Sequence, residues 1–182
     1  MAIDDERIYL PTSASNHIPH GVAYVRALPL VAGRTVADLC CGTGYGTRLL
    51  SEAAQFVTGY DYSSEAITYN QTRLLPNTKF MLADVEKLTT LDVQIITCMQ
   101  GLEHLDSPKD VINRFLDKTW IVALPNDTGE HNPHHHHKIT KNLIHDWFGN
   151  DILLRYFDDR GTFYSSKPEV FSNYFIVYKG VA

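Results

Sequence analysis

Short apolar runs alternate along the chain with segments whose apolar residues recur every three or four positions. The runs are rich in β-branched and aromatic residues and end near polar residues or glycine, which is typical of buried β-strands. Five strands are predicted in this way, at Val36–Cys40, Phe56–Tyr60, Lys79–Ala83, Val93–Met99 and Trp120–Leu124. The alternation of such strands with helices predicts a doubly wound α/β sheet.

Start and stop signals place the helices between these strands. Ser63 can cap a helix that carries Ala66 and Ile67. Ser107 followed by Pro108 is a second start signal, because proline is favoured in the first turn of a helix. Thr140 opens a third helix, whose apolar residues share one face and which Gly149 ends.

Two late strands, Ile152–Phe157 and Tyr174–Lys179, are joined by a polar loop without helix signals. That connection implies an antiparallel hairpin at the end of the chain. The complete pattern predicts a Rossmann-like, seven-stranded, mostly parallel sheet with an antiparallel C-terminal strand.

Composition limits the class of protein. The chain has 182 residues, 44% of them apolar and 20% charged, which suits a single globular domain over 1–182. It contains no apolar run long enough to span a membrane, and its acidic N-terminus does not resemble a signal peptide. Three cysteines form no disulfide framework, so we expect a cytoplasmic protein. A net charge of −5 disfavours binding to long nucleic acids.

The most informative segment is Thr35–Thr47, a predicted strand followed by an acid and a glycine-rich turn. Asp38 precedes Gly42, Gly44 and Gly46, and Asp61 ends the next strand. A glycine-rich strand-to-helix turn followed by an acid at the end of the second strand describes a nucleotide pocket at the strand ends. A dinucleotide motif would have Gly or Ala in place of Thr47, and the lysine of a triphosphate-binding loop is absent.

This pattern resembles the cofactor-binding motif of class I S-adenosylmethionine-dependent methyltransferases. The resemblance covers nearly the whole chain and implies S-adenosyl-L-methionine as the cofactor. It also implies that Asp38 binds the ammonium end, that Asp61 binds the ribose hydroxyls and that Asp84 faces the adenine. The remaining cofactor-binding residues that it implies are Cys40, Gly42, Gly44, Tyr62, Val85 and Gln100. Cys40 departs from the family, which usually has glycine there, and we interpret it as a structural thiol rather than a nucleophile.

Residues 100–105, Gln-Gly-Leu-Glu-His-Leu, resemble the Glu-His-Leu element of small-molecule methyltransferases, including those of ubiquinone biosynthesis and glycan tailoring. In those enzymes the element faces the transferred methyl group. Glu103 and His104 are therefore the catalytic candidates, with His104 as a general base. The alternative is that both residues only orient the loop and the next helix.

Two further segments resemble parts of the family that contact the acceptor. The Pro125–Thr140 segment resembles a loop that lies over the methyl donor, and His131 and one histidine of His134–His137, here His135, are assigned to the substrate. The alternative is a solvated surface loop, and we expect at least two of these four histidines to be solvated. Residues 1–30 resemble a lid segment in front of a cofactor-binding core, 31–182. His20 and Tyr24 are the candidate lid contacts, although most of this stretch is explained by packing of four apolar residues onto the sheet, Val22, Ala23, Val25 and Leu28.

Three functions follow from this resemblance. The first is methylation of oxygen or nitrogen on a small-molecule acceptor, with nucleic acid an unlikely partner. The second is a metal-dependent 2′-O-methyltransferase of RNA 3′ ends, which Glu103-His104 and the later pair His137-Lys138 loosely resemble. Those enzymes use two glutamates and two histidines around an ion. Gln100 stands where the first glutamate would be, so no metal is expected and activity should survive a chelator.

The third function is that of a protein that binds the cofactor without turnover. Acceptor identity and oligomeric state stay open.

Overall fold

The structure is a computed structural model that describes residues 18–126, 134–158, 160–169 and 173–180, with side chains from Gly21 onward. Eight strands lie within these ranges: β1 Thr35–Leu39, β2 Phe56–Asp61, β3 Thr78–Leu82, β4 Ile95–Met99, β5 Thr119–Pro125, β6 Ile152–Phe157, β7 Phe163–Tyr164 and β8 Asn173–Tyr178. Five α-helices accompany them: α1 Ile18–Val31, α2 Tyr45–Leu50, α3 Ser64–Gln71, α4 Pro108–Arg114 and α5 Lys141–Phe148.

The strands form one sheet in the order β3-β2-β1-β4-β5-β8-β6-β7. Strands β1 to β5 pair in parallel, whereas β8 runs antiparallel between β5 and β6. The predicted mostly parallel sheet with an antiparallel C-terminal strand is confirmed. An eighth strand, β7, pairs antiparallel with β6. It has only two residues, which is too short for a recognisable strand pattern in the sequence.

From β1 the chain builds the sheet toward one edge through β2 and β3, and from β4 it builds toward the other edge through β5. The order of the strands therefore changes direction between the neighbours β1 and β4. In a doubly wound sheet, the chain leaves these two neighbouring strands toward opposite sides, and a crevice opens beyond their carboxyl ends. Cys40 follows β1 and Gln100 follows β4 at that crevice. The topology therefore places the glycine turn and the Glu103–His104 element at one edge of the sheet.

The predicted helix starts are observed where the sequence places them. Ser63 caps α3, and its hydroxyl oxygen accepts a hydrogen bond from the amide of Ala66. Thr140 caps α5 in the same way, and Gly149 ends that helix with a positive φ of 78°. Ser107 precedes α4, where Pro108 occupies the first turn.

Helix α1 packs against the sheet largely with the face that the sequence predicts. Ala23, Tyr24, Ala27 and Val31 are buried in the core on the side of α1 and α2, whereas Val25 is 53% exposed. Ala23 is buried as expected and Val22 and Leu28 are partly buried, but the expectation that Val25 packs on the sheet is wrong, because the helical rotation directs Tyr24 inward. Residues 1–17 of the expected lid lie outside the described residues. Within the described ranges, no helix combines the length and apolar character needed to cross a membrane.

Candidate functional site

The glycine turn after β1 is held in place by bonds from several elements. The amide of Gly42 donates to Asp61 Oδ2 at 2.8 Å, and its carbonyl accepts from Asn70 Nδ2 of α3 at 2.8 Å. Gly44 has a φ of 69°, and a Cβ added there would lie 2.5 Å from the ring of Phe80. The turn therefore requires glycine at position 44 for two reasons, the backbone conformation and the close approach of neighbouring side chains.

Two residues that are not glycine adopt positive φ angles at this edge of the sheet. Cys40 and Gln100 each have a φ of 56°, and they follow the neighbouring strands β1 and β4. Such conformations cost energy for residues with a side chain and cluster at functional sites. Cysteine adopts this conformation less readily than the glycine that the family usually has at this position, yet Cys40 has it.

Asp61 is positioned by two backbone amides. Its Oδ2 accepts from Gly42 and its Oδ1 accepts from Ser63 at 2.9 Å, and only 5% of the residue is exposed. Each carboxylate oxygen can accept more than one hydrogen bond, so both keep capacity for a ligand. Asp61 also lines the cavity at the strand ends. A fixed carboxylate with remaining acceptor capacity suits a pair of neighbouring hydroxyl groups.

Asp38 lies beneath the turn and is fully buried. Its carboxylate accepts hydrogen bonds from the hydroxyls of Thr47 and Thr97, both at 2.7 Å, and from that of Tyr24 at 3.3 Å. Burial raises the pKa of the Asp38 carboxyl from 3.8 to about 6, although these hydrogen bonds act in the opposite direction. Asp38 is not part of the cavity wall, so its carboxylate serves here to join α1, α2, β1 and β4.

The other residues assigned to the cofactor lie around the rim of the same cavity. Asp84 follows β3, accepts from the amide of Glu86 at 3.1 Å and forms an ion pair with Lys87 at 2.9 Å. The hydrogen bond with Lys87 lowers the pKa of the Asp84 carboxyl below its ordinary value. Val85 is buried, and Tyr62 is 72% exposed at the edge. All three assigned residues contribute to the cavity wall.

The segments after β1, β2, β3 and β4 together enclose a cavity of about 600 Å³. This volume lies within the range of pockets that bury small-molecule ligands. Its wall contains Tyr24, Cys40, Cys41, Gly42, Thr43, Tyr45, Asp61, Tyr62, Ala83, Asp84, Val85, Glu86, Met99, Gln100, Gly101, His104, Leu105, His134 and His136. The strand-end residues that the sequence analysis selects are thus brought to one place.

Tyr45 supports the presence of a polar ligand in this cavity. Its hydroxyl oxygen is buried and has no hydrogen-bond partner among the residues that the structure describes. Burial raises the pKa of this phenol, which therefore stays a neutral donor. An unsatisfied buried hydroxyl costs free energy, and a polar group of a bound ligand would remove that cost. The residues present therefore fit a ligand with hydroxyl and charged groups.

Tyr24 was expected to be a lid contact, and the structure places it in the wall instead. Its ring packs edge-on against Tyr45 with the ring centres 5.5 Å apart, and its hydroxyl is bonded to Asp38. Burial raises the pKa of Tyr24 well above its ordinary value. His131 lies outside the described residues, and only the backbone of His20, within α1, is described. Their assignment to the substrate remains a prediction.

Glu103, His104 and His135 come together although 31 residues separate the two histidines. One ligand atom from each of the three lies within 4.8 Å of the others. Glu103 and His104 belong to a single helical turn, Leu102–His104, and Glu103 is fully buried. The rings of His104 and His135 lie edge to face, with their centres 5.1 Å apart.

The other histidines of the run contact the protein in different ways. His134 accepts a hydrogen bond at its carbonyl oxygen from His104 Nδ1, at 3.0 Å. His136 Nδ1 lies 2.8 Å from the Asp106 carboxylate. The Nε2 atom of His137 lies 2.9 Å from the carbonyl oxygen of Leu105. The run is therefore fastened to the residues that follow β4. His134 and His136 are nevertheless exposed, as expected for two of the four histidines, whereas His135 and His137 are half-buried.

Two of the three thiols have the environment of structural groups. Cys41 and Cys98 are buried, and Cys40 is half-buried in the cavity wall. A hydrogen bond with Cys40, together with burial, raises the pKa of the Cys98 thiol, and burial raises that of Cys41. Protonated thiols are weak nucleophiles, which favours a structural role for Cys41 and Cys98. The interpretation of Cys40 as a structural thiol remains a prediction.

Sequence reasoning missed several residues of the site. Tyr45 and Glu86 line the cavity, and Glu86 accepts from the amides of Asp106 and Ser107 at 3.3 and 2.7 Å. Gln100 was assigned to the cofactor, but its Nε2 also donates to Asn173 of β8 at 3.1 Å. The proximity of Tyr45 to the glycine turn was visible in the sequence, whereas the contacts of Glu86 and Asn173 depend on distant segments.

Comparisons with known proteins agree with this geometry. Residues 36–120 match the family described as "Methyltransferase domain". An uncharacterized RNA methyltransferase of Protochlamydia amoebophila is 31% identical over 98 residues, which are 52% of this chain and 22% of that protein. A ubiquinone biosynthesis O-methyltransferase of Albidiferax ferrireducens is 31% identical over 101 residues, or 52% of this chain and 40% of that protein. The chain thus aligns with less than half the length of either relative.

Among solved structures, a magnesium protoporphyrin IX methyltransferase from Synechocystis PCC 6803 was determined with bound SAM. It superposes with a TM-score of 0.62 over 91% of this chain and 79% of that chain, at 17% sequence identity. A likeness at this level of identity shows that the two chains share a fold.

Proposed function

This chain carries a methyltransferase domain of the class I, S-adenosylmethionine-dependent family, and we propose that it methylates oxygen or nitrogen on a small-molecule acceptor. The observation that carries the proposal is the convergence of four strand-end segments on one cavity. When bound, S-adenosylmethionine supplies an electrophilic methyl group. The remaining task of the protein is to align this donor with an acceptor.

The cofactor's ribose is assigned to Asp61, whose carboxylate the amides of Gly42 and Ser63 orient before any ligand arrives. The hydroxyl of Tyr45 is available to a polar group of the same ligand. The adenine is assigned to Asp84, Val85 and Tyr62, which line the same cavity. The assignment of Asp38 to the ammonium end needs an intervening water or a movement of the turn, since its carboxylate is buried.

Activation of the acceptor is assigned to Glu103 and His104. A carbonyl oxygen only accepts hydrogen bonds, so the bond to His134 places a proton on His104 Nδ1. In the neutral ring the Nε2 atom then carries the lone pair. That lone pair can accept a proton from a hydroxyl group or coordinate a cation. His104 lines the cavity, so either role acts on a ligand held there.

Ligand binding tests the cofactor assignment. S-adenosylhomocysteine at about 100 times its dissociation constant should stabilise the protein by about 2.7 kcal/mol. Asp61→Ala should weaken its binding by about 1.5–3 kcal/mol, because a charged acceptor is lost. Asp92→Ala, at an exposed position away from the cavity wall, is the matched control and should bind as the wild type does. Calorimetric titration measures both variants.

Two results would contradict the proposal. One is stabilisation by a nicotinamide dinucleotide without stabilisation by S-adenosyl compounds. The other is equal affinity in Asp61→Ala and Asp92→Ala. Turnover assays add a separate test, in which His104→Ala should lower the rate of methyl transfer far more than the affinity for S-adenosylhomocysteine.

A second candidate function is 2′-O-methylation at an RNA 3′ end. The cluster of Glu103, His104 and His135 favours it, and the Protochlamydia relative is named an RNA methyltransferase, which agrees with RNA as the acceptor. Methyl transfer to four acceptors distinguishes the RNA function from the small-molecule function. The acceptors are a short RNA, the same RNA with a 3′-terminal 2′-deoxyribose, a phenol and a catechol. Methylation of the RNA alone, with no transfer to its deoxy analogue, would replace the small-molecule proposal. Cofactor binding without transfer to any acceptor would instead indicate a binding protein.

A further inference from the structure

We propose that Glu103, His104 and His135 bind one divalent first-row transition-metal ion at the wall of the cavity. One carboxylate and two imidazoles converge there, with one ligand atom of each within 4.8 Å of the others. Three protein ligands that leave further coordination positions open are typical of catalytic metal sites. From the sequence no metal is expected, because Gln100 stands where the metal-dependent RNA methyltransferases have a glutamate. The observed cluster does not include Gln100.

The separations suit a site that closes slightly around an ion. In a tetrahedral site with bonds of about 2.1 Å, neighbouring ligand atoms lie about 3.4 Å apart. Because the three ligand atoms lie within 4.8 Å of one another, closing such a site needs shifts of at most about 1.4 Å. His135 is half-exposed, so its ring can make that adjustment, whereas the buried Glu103 stays in place.

His104 is oriented as a metal ligand usually is. Metal-binding histidines commonly donate their second ring N–H to a carbonyl or a carboxylate, which fixes the tautomer and the ring plane. The Nδ1 atom of His104 lies 3.0 Å from the carbonyl oxygen of His134. The amide of His136 donates to the carbonyl oxygen of Glu103 at 2.8 Å, which fastens the other side of the histidine run to the same turn.

These contacts distinguish the cluster from a loose run of surface histidines. His136 pairs with Asp106, and His137 contacts the Leu105 carbonyl and packs edge-on against Trp147. The cluster therefore includes His135 and neither of these two neighbours. A metal bound to the run in general would depend on all its histidines, whereas a metal in this cluster depends on one of them.

The donor set indicates the kind of ion. Imidazole ligands suit zinc, iron, cobalt and nickel, whereas magnesium and calcium prefer sites built from oxygen. Two histidines and one carboxylate therefore favour a transition metal over magnesium. Gln100 is not needed as a ligand, since its amide is bonded to Asn173.

The consequence for the acceptor rests on the proposed methyl-transfer function. His104 lines the cavity, so an ion beside it can present its open positions to a ligand there. Such an ion lowers the pKa of a bound hydroxyl group. The site then selects acceptors that offer oxygen, which narrows the proposed reaction from oxygen or nitrogen to oxygen.

Cobalt titration tests the site. Protein stripped with a chelator and then dialysed is titrated with Co²⁺ by calorimetry, and the visible absorption of the metal is recorded. One site is expected in the wild type. His135→Ala should weaken it at least tenfold, since even changes in the groups around a metal's ligands cost about 10–100-fold. The matched control His136→Ala, in the same run, should leave the affinity close to that of the wild type, because the His136 ring pairs with Asp106 and lies outside the cluster.

Glu103→Gln provides a second variant that keeps the side-chain volume in the core while removing the charge, and it should also weaken Co²⁺ binding at least tenfold. Equal affinities in His135→Ala and His136→Ala, or loss of binding only when several histidines are removed, would assign the metal to the run and overturn the proposal. Absence of Co²⁺ binding to the wild type would overturn it as well.

The failure of this proposal can be separated from the failure of the proposed function. S-adenosylhomocysteine binding is measured on the metal-free protein, and its loss would refute the cofactor assignment without affecting the Co²⁺ result. With a hydroxyl acceptor in hand, transfer should fall on chelation and return with Mn²⁺, Co²⁺ or Zn²⁺. Unchanged transfer by metal-free protein would refute the role of the ion in the reaction.

Discussion

Asp38→Asn removes an ionisable group from the interior while keeping its shape. The wild-type carboxylate is fully buried and depends on hydroxyl donors from Tyr24, Thr47 and Thr97. Burial still raises its pKa from 3.8 to about 6, so the hydrogen bonds do not fully offset the desolvation of the charge. The folded protein consequently binds a proton at Asp38 more tightly than the unfolded chain does.

The direction of the pH dependence follows from this difference. The stability contributed by protonated Asp38 is fully present below pH 3.8 and is lost as the pH rises through about 6. At about 1.4 kcal/mol per pKa unit, the raised pKa corresponds to about 3 kcal/mol of stability lost between pH 4 and pH 7. The amide introduced by Asp38→Asn does not titrate, so the variant should not show this loss.

Urea unfolding at several pH values between 4 and 8, at constant ionic strength, measures the effect. The free energy of unfolding of Asp38→Asn minus that of the wild type should rise by about 3 kcal/mol from pH 4 to pH 7 and then stay constant. Asp92→Asn, at an exposed position, should show no such rise. A difference for Asp38→Asn that is flat across this range would refute the reasoning, because the buried carboxyl would then have an ordinary pKa.

Two further predictions concern the packing and the backbone of the glycine turn. Gly46→Ala should lower the free energy of unfolding by about 1–3 kcal/mol, since a Cβ there would lie 2.0 Å from the Tyr24 ring. The control is Gly21→Ala, where a Cβ would meet open space, and this variant should be neutral or stabilising. Urea unfolding of both variants checks this, and equal stabilities would contradict it. Cys40→Val should be less stable than Cys40→Gly by about 1–2 kcal/mol, because the φ of 56° disfavours a β-branched residue. Equal unfolding midpoints of these two variants would show that the turn relaxes.

Much of the fold follows from local patterns that the sequence carries. Apolar runs bounded by turn residues define β1 to β5 to within two residues at each end. The runs are nearly continuous in β1, β4 and β5, because a strand buried on both faces needs continuous apolar side chains. Ser63 and Thr140 mark helix starts because a side-chain oxygen must satisfy the first amides of a helix. The two-residue β7 has no such signal, since it exists only through its pairing with β6.

The cofactor side of the site was also visible in the sequence, since the glycine turn and Asp61 lie at strand ends that a parallel sheet brings together. The sequence could not show how the acids differ. Asp38 and Asp61 both follow apolar residues in predicted strands, yet one is buried beneath the turn and the other lines the cavity. The difference arises from hydroxyls supplied by residues 9 to 59 positions away from Asp38.

The sequence alone determined that this chain forms a mostly parallel α/β sheet with a nucleotide-type pocket at its strand ends, because periodicity, capping residues and glycine turns act over a few neighbouring residues. Only the tertiary structure decided that His135, rather than His136 or His137, approaches Glu103 and His104. Four consecutive histidines look alike in sequence. Their different partners are set by how the loop before α5 packs against the turn after β4, which no local pattern records.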